Sequence, residues 1–191
     1  MKALILNGSV KDDNSLDIVH EVVQDELMRN SYQVDSFILH DTEVAGCLGC
    51  FGCWVQTPGI CVIDDAGREI ARKVIQSDLV VLLTPVTFGG YSSELKKAMD
   101  RLIPLISPFF TKIQGEVHHK PRYDRYPSLI AVGVHPQPDE EMEQIFKTLV
   151  SRNAINFHSP SQAAGVMLSG QEWETVREEF RSLLAKARAE K

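Results

Sequence analysis

No run of about 18 apolar residues, the length that a membrane-spanning helix needs, occurs anywhere in the 191-residue chain. An excess of positive charge is missing too: 20 lysines and arginines face 26 aspartates and glutamates, for a net charge of -6. That balance excludes a general nucleic-acid binder, whose affinity comes from cations that neutralise phosphates. The first apolar segment is shorter than a secretory signal's and meets Gly8 and Ser9 at once, so a cytoplasmic protein is expected, with no membrane or nucleic-acid partner. The Walker phosphate loop, the G-x-G-x-x-G fingerprint and internal repeats are all absent. Cysteine is absent outside one stretch, Cys47 to Cys61. In a reducing compartment such a cluster holds metal or does chemistry more readily than it forms disulfides.

What is present is the composition of one soluble globular domain over 1–191, with 43% apolar and 24% charged residues. Lys2 to Asn7 reads as a strand buried on both faces. Ser15 to Arg29 reads as a helix, with Leu16, Val19, Val22, Val23 and Leu27 inward and Asn14 or Ser15 as cap. Further strands are expected at Val34 to Leu39, Leu79 to Leu83, Leu129 to Val134 and, briefly, Ile155 to His158. Helices are expected from Asp64 or Asp65 to Gln76, Ser93 to Ile103 and Asp139 to Arg152, with a last one opened by a Ser169–Glu172 capping box. Five alternations of strand and helix predict a doubly wound α/β domain. Its ligand edge lies outside the carboxyl ends of the strands, where the loops Gly8 to Asn14, Thr84 to Ser92 and His135 to Pro138 should converge.

The segment 104–127 falls outside this alternation and is expected to be a lid or an oligomer contact. Exposed Phe109, Phe110, Tyr123 and Tyr126 would favour a homodimer or homotetramer. Its basic run, His118, His119, Lys120, Arg122 and Arg125, reads as a solvated lid or subunit contact ahead of a surface for an acidic donor protein or the phosphates of NADP, and neither histidine as a metal ligand.

The cysteine loop, 41–64, carries the spacing C-x2-C-x2-C-x7-C through Cys47, Cys50, Cys53 and Cys61. Structural zinc usually pairs one C-x2-C knuckle with a distant second pair, whereas three cysteines stepping by three suit the separate iron corners of a cubane. Zinc and four free thiols remain the alternatives. Gly46, Gly49 and Gly52 let the backbone curl between the thiols, and Phe51 and Trp54 either shield a cluster or pack as core aromatics.

Asn7 to Ser15 joins a buried strand to a helix N-terminus, where amides and the helix dipole attract an anion. Ser9, Asn14 and Ser15 offer donors and Lys11 a charge, while Asp12 and Asp13 must face solvent if phosphate is to bind. Pro85 to Tyr91 ends the most apolar strand with glycines and aromatics that suit a flat isoalloxazine, or else forms an ordinary turn over a buried Phe88.

Together the phosphate-type loop, the compact cysteine loop and the P-x-T-F-G-G-Y-S-S segment resemble the iron-sulfur flavoproteins of the wider NAD(P)H-dependent FMN reductase superfamily, over nearly the whole chain. The resemblance implies a flavodoxin-like fold with a five-stranded parallel sheet in the order 2-1-3-4-5. It also implies FMN at the sheet edge and a [4Fe-4S] cluster near the flavin of a dimer or tetramer. By position, Ser9, Lys11, Asn14, Ser15 and Leu16 would hold the FMN phosphate, and Pro85, Val86, Thr87, Phe88, Gly89 and Gly90 would line the ring. Cys47, Cys50, Cys53 and Cys61 would ligate the cluster. No side chain is required as catalytic acid, base or nucleophile. The expected activity is electron transfer from NAD(P)H or a ferredoxin-like donor through FMN to the cluster. A cluster-free FMN or quinone reductase and a non-enzymatic FMN electron carrier or redox sensor are the competing functions.

Overall fold

The strand Lys2–Asn7 (β1) shows why the sheet must be covered twice: Ala3 and Ile5 enter one core layer, while Leu4 and Leu6 enter the other. The computed structural model describes residues 1–189, so Glu190 and Lys191 of the expected domain lie outside the described residues. After β1 come α1 (Asp17–Arg29), β2 (Gln33–Ile38), α2 (Gly52–Val55), α3 (Ala66–Gln76), β3 (Leu79–Pro85) and α4 (Ser93–Asp100). There follow β4 (Ile106–Ile113), β5 (Glu116–Pro121), β6 (Ser128–His135), α5 (Glu140–Asn156), β7 (Gln162–Leu168) and α6 (Trp173–Ala189).

The main sheet has the order β2-β1-β3-β6-β7 with every pair parallel, which is 2-1-3-4-5 when only its own strands are counted. α1 and α6 cover one face through Val19, Val22, Leu27, Phe180 and Leu184. α3, α4 and α5 cover the other through Ile70, Val74, Leu95, Ala98, Phe146 and Val150. Because every strand of the sheet runs parallel, the loops after β1, β3 and β6 leave from one edge.

Several expectations are corrected. Ile155 to His158 is no strand: α5 runs on to Asn156 because Phe146, Val150 and Ala154 continue its buried stripe. The fifth strand is Gln162–Leu168, whose Ala163, Ala164 and Gly165 lack the bulk of a typical buried strand. Gly165 faces Leu183 of α6 at a distance that a Cβ would turn into ordinary contact, 3.4 Å. α1 starts at Asp17 after buried Leu16, and neither Asn14 nor Ser15 caps it by side chain. α4 stops at Asp100, short of Ile103. α6 opens at Trp173, too far along for Ser169 to stand as its N-cap.

The segment 104–127 contains an antiparallel hairpin, β4–β5, turning at Gln114 and Gly115 with φ of 51° and 85°. Phe109 and Phe110 are exposed, as is Tyr123, but Tyr126 is buried. Its hydroxyl donates to the Leu105 carbonyl (2.5 Å) and accepts from the Arg122 amide (2.8 Å). The basic run is not simply solvated either. The Arg122 guanidinium donates to the carbonyls of Pro104 (2.8 Å) and Ile106 (3.3 Å), and His119 packs between Trp54 and Phe110.

Candidate functional site

The loops after β1 and β3 are locked together at the sheet edge. The Gly8 amide donates to the Leu83 carbonyl (2.8 Å), and the Ser92 hydroxyl donates to the Gly8 carbonyl (2.5 Å) while accepting from the Leu95 amide (3.2 Å) as the cap of α4. A Cβ on Gly8 would lie 2.6 Å from the Leu95 Cβ and 2.9 Å from the Ser92 Oγ, so only glycine permits this approach. Ser9 is buried; its amide donates to the Asn7 side-chain oxygen (2.8 Å) and its hydroxyl meets His40 Nδ1 (3.1 Å).

Lys11 and Asn14 are exposed at the rim, and Leu16 is buried beneath it. The Ser15 Oγ is buried with no hydrogen-bond partner, two residues before the first turn of the 13-residue helix α1. Of the two acids expected to face solvent, Asp12 does, in a left-handed conformation with φ 65°. Asp13 does not: its carboxylate accepts the Ser15 amide at 2.9 Å.

In the second loop Pro85 and Val86 are half-buried and the Val86 amide donates to the Val134 carbonyl (2.9 Å). Thr87 and Gly90 exchange two backbone hydrogen bonds, 3.1 and 2.9 Å, across a tight turn with φ of 50° at Phe88 and 73° at Gly89. Phe88 is fully exposed, at 103%, so the reading of a buried aromatic under the turn is corrected. A left-handed phenylalanine costs about 1 kcal/mol or more, and here no packing of its ring offsets that cost. Gly89 is dictated by its φ and by Ile145, whose Cγ2 would stand 2.6 Å from an added Cβ.

Behind this turn lies a cavity of about 490 Å³ between α4, α5 and the hairpin, reached by Tyr91, Met99, His119, Leu149 and Asn153. The Tyr91 hydroxyl accepts from Asn153 (3.0 Å), and burial pushes it up to about 12. Sequence reasoning missed this cavity, since nothing in the residues 104–127 announces that His119 folds back over α4.

All four cysteines line one small cavity with Ile63, Arg101 and Ile103. Cys47 and Cys50 are exposed, Cys61 is half-buried and Cys53 is buried. Burial pushes the Cys53 thiol up, and the charges of Cys61, Cys47 and Cys50 push it further. The curl relies on left-handed Gly49 and Phe51, φ 64° and 56°, and on Gly52, where a Cβ would come 2.5 Å from Val62. Gly46 has open space around it and carries no such demand. Trp54 stacks on Phe51 at 5.2 Å and donates to the carbonyls of Ile103 and Ile106, so it fastens the loop to the start of the hairpin. Among the described residues no three His, Cys, Asp or Glu side chains converge closely enough for a single metal ion. The cavity, at about 20 Å³, takes about one water. A larger group therefore needs the exposed side of the loop to move outward, where Gly46 and Gly49 meet nothing.

Beneath the loop Arg101 is 1% exposed and forms a two-pronged ion pair with Asp65, at 2.8 and 2.7 Å. Burial alone would raise the Asp65 carboxyl. The bonds from Arg101 and from the amides of Ala45 and Gly67 outweigh it and hold the group below the ordinary carboxylate range.

This parallel sheet, with ligand-facing loops at its carboxyl edge, defines a flavodoxin-like protein. The NADPH-dependent FMN reductase family model matches residues 1–148, and the chain belongs to that family. It is similar to an iron-sulfur flavoprotein of Methanocaldococcus jannaschii, 31% identical over 105 residues, covering 55% of this chain and 53% of the relative. It is also similar to one of Methanosarcina thermophila, 29% identical over 105 residues, covering 55% and 54%. The chain thus spans about half the length of the curated relatives it matches. Among solved structures it superimposes on an NAD(P)H:quinone oxidoreductase from Methanothermobacter marburgensis with a TM-score of 0.67 at 13% identity, covering 100% and 95% of the two chains. An FMN-dependent NADH-azoreductase of Bacillus anthracis in complex with FMN gives 0.60 at 14% identity, covering 100% of both. No helix among the described residues is long and apolar enough to cross a membrane.

Proposed function

We propose that the chain is an FMN-dependent oxidoreductase that takes a hydride from NAD(P)H and exchanges electrons with a small-molecule or ferredoxin-like partner, with a [4Fe-4S] group in the cysteine loop. The observation that carries the FMN reading is the Ser15 hydroxyl, buried without a partner at the entry to α1. A stranded hydroxyl costs about 1–3 kcal/mol, and a phosphate at a helix N-terminus would satisfy it. FMN, when bound, supplies a two-electron acceptor that can release its electrons one at a time. Ser9, Asn14, Ser15 and the backbone up to Leu16 bind the phosphate, and Lys11 adds charge from the rim. Pro85 to Gly90 present a glycine turn to the ring, with Val86 and Thr87 along it and the free face of Phe88 beside it.

The four cysteines would ligate the iron–sulfur group. Their shared cavity, the mutual reach of their charges and the buried Arg101 next to them support that reading. A second reading, a cluster-free FMN or quinone reductase, is favoured by the lack of any three converging ligands among the described residues. Iron and acid-labile sulfide in anaerobically prepared protein separate the two; near-zero content with intact NAD(P)H oxidation selects the second. FMN titration followed by flavin fluorescence tests the site itself: Ser15→Ala should weaken binding by about tenfold, or about 1.4 kcal/mol. Unchanged affinity would remove the phosphate assignment. The exposed Phe109, Phe110 and Val117 of the hairpin support a homodimer or homotetramer, which a monomeric mass by light scattering would exclude.

A further inference from the structure

The cavity of about 490 Å³ between α4, α5 and the hairpin lies behind the Phe88–Gly89 turn and holds none of the four cysteines. Its size falls within the range of small-molecule sites, about 300–1,000 Å³. Met99, Ile103, Ile106, Leu149 and Phe157 give it apolar walls, and the Tyr91 ring is fixed edge-on against Phe146 at 5.9 Å. The polar side chains among them have hydrogen-bonding capacity to spare. The Tyr91 hydroxyl accepts from Asn153 (3.0 Å), and burial pushes it up to about 12, so it keeps its own proton and can donate it. The Asn153 carbonyl oxygen and the Asn156 side chain make no hydrogen bond among the described residues. His119 Nδ1 is buried without a partner. Its ring packs against Trp54 (4.9 Å) and Phe110 (4.6 Å), which leaves an edge for the cavity, and its carbonyl accepts from His158 Nε2 (2.8 Å). The imidazole is therefore held in place before any ligand arrives.

A buried nitrogen without a partner among apolar side chains is costly until a ligand answers it. Nδ1 donates or accepts according to the tautomer, and a hydroxyl, which does both, suits either. The Tyr91 proton and the Asn153 carbonyl form a second contact of the same double kind. Aromatic and thioether walls favour a flat ring behind that hydroxyl. Charge is not called for, because Lys96 and Asp100 at the mouth pair with each other and leave no unspent cation for a phosphate or carboxylate. We propose that this cavity binds a neutral aromatic alcohol, with its ring against Tyr91, Met99 and Leu149 and its hydroxyl on His119 Nδ1. The site is separate from the phosphate loop, yet it touches both neighbouring elements: Gly90 ends the turn after β3, and Ile103 also lines the cysteine cavity. Trp54 donates to the carbonyls of two of its wall residues, Ile103 (3.3 Å) and Ile106 (3.0 Å), so that indole senses the cavity from the cysteine loop.

The test uses the full chain in a Trp173→Phe background, which leaves Trp54 as the single indole N–H signal in NMR spectra. 2-Naphthol is titrated by calorimetry and by that signal, with naphthalene and 2-naphthoate as controls, in the presence and absence of FMN. 2-Naphthol should shift the Trp54 signal and bind about tenfold tighter than naphthalene. It should also bind more tightly than 2-naphthoate, with the same affinity whether or not FMN is added. His119→Phe keeps a ring against Trp54 and Phe110 but has no nitrogen, so it should bind 2-naphthol no better than naphthalene. Leu149→Trp fills the cavity and should abolish binding of both. Absence of binding, an unmoved Trp54 signal, equal affinity for naphthalene or tighter binding of 2-naphthoate each overturns the proposal. So does displacement of the probe by FMN, which would put it in the flavin site, and binding that survives Leu149→Trp, which would put it elsewhere. A His119→Phe protein that still prefers 2-naphthol overturns the place given to the hydroxyl.

Discussion

The Asp13 carboxylate accepts the Ser15 amide at 2.9 Å, so an acid of the chain itself occupies an anion position at the entry to α1. A phosphate that binds there must displace this carboxylate or settle beside it. Either way a negative charge opposes the ligand, and its removal should help. Asp13→Asn keeps the size and an acceptor oxygen but drops the charge. FMN affinity, read by fluorescence quenching, should rise by about fivefold, the worth of roughly 1 kcal/mol between charges at a protein surface. The gain should shrink at high salt. Equal or weaker binding by the variant would count against a phosphate at this loop.

Ser15 separates ligand binding from stability. In the free protein its hydroxyl is buried without a partner, and alanine would remove that penalty. Ser15→Ala should therefore leave the melting temperature of the flavin-free protein unchanged or raise it, by the equivalent of up to about 1 kcal/mol, even as FMN binding weakens. A fall in the melting temperature would mean that the hydroxyl is satisfied in solution.

The turn at Phe88 and Gly89 makes opposite demands. Phe88 is strained and wholly exposed, so Phe88→Gly should stabilise the free protein by about 0.5–1 kcal/mol while weakening flavin binding. Gly89→Ala meets both a positive φ and the Ile145 side chain, so it should destabilise by about 1–3 kcal/mol. Pairing it with Ile145→Ala should recover the steric share only. Thermal melts of the three variants decide the matter; if Phe88→Gly is less stable than wild type, the phenylalanine is held by contacts and not by function.

The legible parts of the fold are those whose residues point to the same structure locally and globally. β1, β3 and β6 are continuous apolar runs that only a doubly covered sheet can bury, and Asp65 announces the start of α3. β7 was hidden because an edge strand of alanine and glycine packed against α6 carries little hydrophobic signal. The hairpin was hidden because the adjacent Phe109 and Phe110 are both exposed, as is Val117, so no alternation of buried and exposed residues marks the strands. At the site, the loops after β1 and β3 and the cysteine loop were readable from their residues. Arg101 was not: a cation within the expected helix Ser93 to Ile103 reads as solvated, and the partners that bury it, Asp65 with the carbonyls of Ala45 and Ile63, lie 36 or more residues earlier in the chain.

That same pair gives the cysteine loop an acid limit. Burial would raise the Asp65 carboxyl, but the hydrogen bonds from Arg101, Ala45 and Gly67 lower it further than burial raises it. An acid whose folded value lies below its unfolded value of about 3.9 contributes stability that is complete above that unfolded value. The contribution is lost as pH falls through the folded value. Trp54 reports on the loop through its stacking with Phe51 and its bonds to Ile103 and Ile106. In a Trp173→Phe background its emission should hold steady from pH 7 to about pH 4 and change below that. Asp65→Asn should abolish this acid step. Because it leaves Arg101 buried with a weakened partner, it should also cost up to about 3–5 kcal/mol at neutral pH. An Asp65→Asn protein with the same acid midpoint as its parent would show that another carboxylate sets the limit.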